Sequence, residues 1–89
     1  MAWIYPPELS EKLLELGLAP RPETPPRLVR DHLNDLYRHE IRALRGRLLA
    51  KEFPKAEYSA HVVKLRGKYW PLSLSPAQWE RICAGDASR

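Results

Sequence analysis

Eighty-nine residues are enough for one domain and too few for two. With 44% hydrophobic and 29% charged residues, the composition is that of a globular protein with a thin core, which excludes wholesale disorder. No apolar run approaches the roughly 18 residues needed to span a bilayer, and the formal net charge of +4 favours acidic over basic partners.

The opening stretch, Met1-Ala2-Trp3-Ile4-Tyr5-Pro6-Pro7, has no basic region followed by a long apolar one, so no secretory signal is expected. Cys83 is the only cysteine, which rules out an internal disulfide and points to a soluble, cytoplasmic protein. Asn34, Gln78 and Thr24 are the only residues of their kinds, whereas charge and loop proline abound. That is a thermophile-like composition, although GC-rich codon usage gives the same bias.

Taken in chain order, the first element is a helix over 7–17. Pro6-Pro7 opens it, Leu9 and Leu13 begin its apolar stripe, and Gly17 closes it. Glu8 and Lys12 are spaced to pair along it. Residues 18–24 form a Pro-rich linker with no regular structure. Thr24 is placed to cap a long helix over 25–52, with Pro25 at its first position. Val29, Leu33, Leu36, Tyr37, Ile41, Leu44 and Leu48 recur at three and four, tracing one apolar arc. Phe53-Pro54 ends that run, because proline disfavours helical geometry in the residue before it.

A third helix is expected over 54–69, with Tyr58, Val62, Leu65 and Tyr69 as its stripe. So short a connection makes antiparallel neighbours, hence a long αα-hairpin. Trp70-Pro71-Leu72-Ser73-Leu74 reads as an extended apolar bridge. The last helix, over 76–84, has a capping box in Ser75-Pro76-Ala77-Gln78, an apolar face of Trp79, Ile82 and Cys83, and a stop at Gly85. A frayed tail, Asp86-Ala87-Ser88-Arg89, follows. The expected fold is therefore all-α, one domain over 1–89. A helix of this length outreaches a compact domain of this size, so dimerisation is expected to complete a helical bundle.

Few residues suggest chemistry. Glu40 falls within the apolar arc of the long helix, where a carboxylate needs a partner. Arg47 lies two turns on and Arg66 flanks the facing stripe, so a structural ion pair among Glu40, Arg47 and Arg66 is expected. His32, His39 and His61 lack metal-ligand spacing and read as solvated, with His61 on the polar side of its helix. Cys83 lies in the apolar register of its helix and reads as a packed thiol. No Gly-rich phosphate loop exists, and no nucleophile has a base placed to activate it. Neither cofactor nor metal is implied, and an enzyme is not expected.

Surfaces remain. Residues 38–68 carry nine Lys or Arg against three Glu, an excess of six positive charges, whereas residues 1–37 carry four against six. Arg38, Arg42 and Arg45 share the helix face opposite the apolar arc and are possible phosphate contacts. Asp31 and Asp35 lie one turn earlier on that face, where Arg27–Asp31 and Asp35–Arg38 pairs would make it an ordinary solvated surface. Trp3, Tyr5, Trp70 and Trp79 form a possible interaction surface, since such aromatics dominate interface cores. The apolar Trp3-Ile4-Tyr5 segment must fold back over the bundle or dock elsewhere. The expected function is a protein–protein interaction or self-associating module. The alternative is a small basic nucleic-acid-binding protein using the arginine face.

Overall fold

A computed structural model of the chain describes residues 2–84. Among them are four α-helices and no strand: α1 (Pro7–Glu15), α2 (Pro26–Leu49), α3 (Tyr58–Lys68) and α4 (Pro76–Cys83). Single 3₁₀ turns occupy Lys55–Glu57 and Trp70–Ser73. The expected stop at Gly85 and the tail at 86–89 lie outside the described residues.

Local chemistry sets each boundary. Pro6 is extended and Pro7 starts α1 with φ already near its helical value. Gly17 adopts φ +88°, so its N–H reaches the Leu14 carbonyl at 3.0 Å and that of Leu18 reaches Leu13 at 2.8 Å. This left-handed cap ends α1 at Glu15, two residues before the expected end at 17. Thr24 does not cap α2. Pro26 keeps the preceding Pro25 extended, at ψ 137°, so the helix starts one residue later than expected. The Thr24 hydroxyl instead accepts from the Arg21 N–H at 3.2 Å.

The far end of α2 also departs from expectation. Lys51, not a glycine, takes φ 61°, and the Lys51 and Glu52 N–H groups bond back to Leu48 and Arg47, each at 3.0 Å. The helix therefore closes at Leu49 rather than running to Glu52. A side chain in this left-handed region costs about 1–2 kcal/mol. Replacing Lys51 with glycine is accordingly expected to raise stability by about 1 kcal/mol, read from the shift in a urea midpoint.

The expected third helix is present in two pieces. Pro54 is extended, a 3₁₀ turn follows, and α-helical geometry begins only at Tyr58. Trp70–Ser73 is a 3₁₀ turn rather than an extended bridge. Leu72 N–H bonds to the Tyr69 carbonyl at 2.9 Å and the Ser73 hydroxyl to Trp70 at 2.7 Å, so proline and serine make a turn there. Arg30 fastens that turn to α2 by donating to the Leu74 and Leu72 carbonyls at 2.8 and 3.2 Å.

At α4 the capping box forms in both directions. Ser75 Oγ accepts from the Gln78 N–H at 3.2 Å, and Gln78 Oε1 accepts from the Ser75 N–H at 2.8 Å. Ser75→Ala is expected to lower stability by about 1 kcal/mol, with Ser75→Gly milder, as measured by thermal or urea unfolding.

These elements gather one core at one end of the molecule. Leu9 and Leu13 from α1, Val29 and Leu33 from α2, Tyr69, and Trp79 and Cys83 from α4 are buried together. The N-terminal segment closes over them: Trp3 N–H bonds to Pro22 at 2.7 Å, Ile4 N–H to Cys83 at 2.8 Å, and the Tyr5 hydroxyl to Thr24 at 2.6 Å. The remainder of α2 and α3 projects away. The molecule measures 52 × 19 × 17 Å, and its radius of gyration of 15.6 Å exceeds the roughly 12 Å of a compact chain of this length. Among the described residues, Leu44 is the one buried hydrophobic side chain outside the core cluster.

Candidate interaction surface

The aromatic residues do not form an open patch. Trp79 is fully buried, and its indole N–H donates to the Pro71 carbonyl at 2.8 Å. Trp3, Tyr5 and Trp70 are half-buried against the same core. Four aromatics distributed along the sequence thus serve one apolar centre, because a thin core needs their area. In this region Ile4, Leu14 and Ile82 are left open, at 61%, 66% and 42% exposure, so Ile82 does not join Trp79 and Cys83 on the buried face of α4 as expected.

Glu40 is partnered, but not by the expected arginines. The Tyr69 hydroxyl donates to its carboxylate, and Lys68 Nζ lies 3.3 Å from it. Burial, then the hydrogen bond and negative charge of Glu40, hold the Tyr69 phenol well above the usual tyrosine range. The Tyr69 ring meets Tyr37 edge to face at 5.4 Å. Arg47 turns the other way: it bonds to Glu52 at 3.1 Å and lies 5.6 Å over the Phe53 ring. The left-handed Lys51 folds Glu52 back within its reach. Arg66 is exposed, and Lys68 occupies the level of Glu40 in its place.

Between α2 and α3 lies an open groove of about 390 Å³. His39, Glu40, Arg47, His61, Lys64 and Lys68 ring its apolar floor of Leu44 and Leu65. His61 is not solvated as expected. It is half-buried, with its ring 4.3 Å from that of Phe53. His32 and His39 are exposed. Among the described residues, no three metal-capable side chains converge.

Burial pushes the Cys83 thiol up to about 11, which makes it an inert packed group at neutral pH. Tyr5, raised to about 12 by burial and then by the Cys83 charge, shares this preference for its neutral form. Both groups hold their protons more tightly folded than unfolded, so their stabilisation is full below the unfolded values of about 8.5 and 10. It is lost as pH rises through the folded values. Urea midpoints are expected to fall between pH 9 and 12, and Cys83 should resist alkylation at pH 8 until the chain unfolds.

The outer face of α2 is the most open charged surface. Arg38, Arg42 and Arg45 are exposed, as are Asp31 and Asp35. None of the five takes part in the ion pairs formed among the described residues. Arg27 pairs with Glu80 of α4 at 2.7 Å instead of with Asp31, and Lys12 with Glu15 at 3.2 Å instead of with Glu8. Large hydrophobics also remain open on the two long helices: Leu28 and Leu49 on α2 at 60% and 76%, and Val63 on α3 at 65%. No described helix is long and apolar enough to cross a membrane. Comparison with protein-family models, curated proteins and solved structures finds no match to this chain, so its functional reading rests on these surfaces.

Proposed function

We propose that this protein is a helical protein-interaction module that associates with itself, and that it acts through its surfaces rather than as an enzyme. One observation carries the reading: the core occupies one end, and the rest of α2 and α3 projects from it with Leu49 and Val63 open. Covering each such side chain is worth about 1.5–3 kcal/mol, which is reason for a second chain to lie there. In this reading α2 and α3 form an antiparallel hairpin, and a second copy completes a helical bundle around it. A lone, buried cysteine suits a reducing compartment, and the proposed setting is the cytoplasm.

The unpaired Arg38, Arg42 and Arg45 support a second reading, in which they contact nucleic-acid phosphates. Asp31 and Asp35 on the same face weigh against it, since a phosphate backbone would repel them. Size-exclusion chromatography with light scattering at low salt, recorded at 260 and 280 nm, tests both. A mass of twice the 10.3 kDa chain with a protein-like absorbance ratio is the expected result. A single-chain mass at every concentration would overturn self-association. A 260 nm signal that salt strips away would favour the second reading.

A further inference from the structure

Leu28, Asp31, Asp35, Arg38, Arg42, Arg45 and Leu49 follow one another at spacings of three and four residues and so form one stripe, or seam, along nearly the whole solvent face of α2. The spacing is that of any helix face; what distinguishes this one is the order of its residues. All seven are exposed. The seam starts and ends on an open leucine, and its charge changes sign once, from two aspartates to three arginines.

We propose that α2 pairs with α2 of a second copy, antiparallel, along this seam. The inference rests on the self-association proposed above and names the surface that makes it. A two-fold contact places each residue against its mirror position in the sequence. With its axis just past Arg38, it sets Leu28 opposite Leu49 of the second copy, Asp31 opposite Arg45, and Asp35 opposite Arg42, each to within about half a residue of its mirror position and each twice over. The aspartates and the outer arginines, unpaired among the described residues, all acquire opposite charges, and both exposed leucines of α2 acquire apolar cover. Arg38 faces its own equivalent at the axis, with Asp35 one turn away on the same face to offset the repulsion. A parallel arrangement would instead set aspartate on aspartate and arginine on arginine. Charge complementarity therefore selects both a second copy as occupant and its direction.

The test exchanges charge between two versions of the whole chain. Arg42→Glu/Arg45→Glu makes an acidic seam, and Asp31→Arg/Asp35→Arg a basic one. Each variant alone opposes like charges, so its dimer dissociation constant is expected to weaken at least tenfold relative to the unaltered chain. Mixed in equal amounts, the two complement one another at every altered position and should regain a dimeric mass in sedimentation velocity. Recovery on mixing also establishes that both variants are folded.

Direction has its own readout. Chains carrying Leu28→Cys and Leu49→Cys should cross-link on oxidation when mixed, and neither should alone, because the two positions lie about 32 Å apart along the helix. Variants that each dimerise as well as the unaltered chain, or that fail to recover on mixing, would overturn the seam. Dimerisation by both variants would leave self-association standing. An unaltered chain that is monomeric throughout would overturn both. A basic variant that gains affinity for single-stranded nucleic acid, with no recovery on mixing, would reject the seam in favour of phosphate contact.

Discussion

Trp79→Ala is expected to lower the stability of the folded chain by about 3–5 kcal/mol, the cost of emptying a buried aromatic site. Three features concentrate the effect. The indole is fully buried in the core that α4 shares with α1 and α2, its N–H satisfies the Pro71 carbonyl at 2.8 Å, and it is the largest buried side chain of α4. Truncation leaves a cavity and an acceptor without its donor, and the 3₁₀ turn at Trp70–Ser73 loses its tie to α4. A chain of this size has about 4–13 kcal/mol of stability in total, so the variant should be marginal at 37 °C. Circular dichroism melts would register the loss, and Trp79→Phe should recover part of it by restoring apolar volume without the donor. Near-wild-type melting of Trp79→Ala would place the core elsewhere.

Leu33→Ala and Leu49→Ala form the second prediction. Both remove the same atoms from the same helix, but Leu33 is fully buried and Leu49 is 76% exposed. Leu33→Ala is expected to cost about 2–5 kcal/mol at any protein concentration. Leu49→Ala should leave the isolated chain within about 0.5 kcal/mol of its original stability. In the associated form it should lose more, because a side chain that is covered only by a second copy stabilises in proportion to assembly. Urea titrations at low and high protein concentration separate the two cases. Equal effects at both concentrations for Leu49→Ala would argue against a second copy lying over the end of α2.

The sequence makes helix starts more legible than helix stops or tertiary partners. Pro7 and Pro76 and the Ser75–Gln78 box act within a few residues and mark their helix starts directly, whereas Pro25 and Pro54 announce helices that begin at Pro26 and, after a 3₁₀ turn, at Tyr58. The end of α2 was hidden because Lys51 takes a left-handed conformation that lysine does not advertise. Glu40 was recognisable as a carboxylate in need of a partner, yet its partner depends on how two helices register. Lys68 and Tyr69 differ from Arg66 by less than a turn, and periodicity does not resolve that. Arg30 gave no signal at all, since a guanidinium holding two carbonyls looks in sequence like any surface arginine. The aromatics signalled an interface, whereas Trp79 lies in the core and Trp3, Tyr5 and Trp70 pack half-buried against it, because a thin core draws on their area. On the outer face of α2, sequence identified the arginines and aspartates. What it missed was that they remain unpaired among the described residues, which only the placement of Glu80, Glu52 and Lys68 reveals.

The most direct test of the account is amide hydrogen exchange on the unaltered chain at two protein concentrations, far below and far above its dissociation constant. Amides around Leu33, Leu13 and Trp79 should be protected at both, since they belong to the core of one chain. Amides of α2 beyond Arg38 lie outside the core of one chain and should exchange quickly when dilute, but slowly when concentrated, as a second copy lies along the helix. Protection of those amides that does not change with concentration would contradict the account, and would mean that the projecting helices are complete in a single chain.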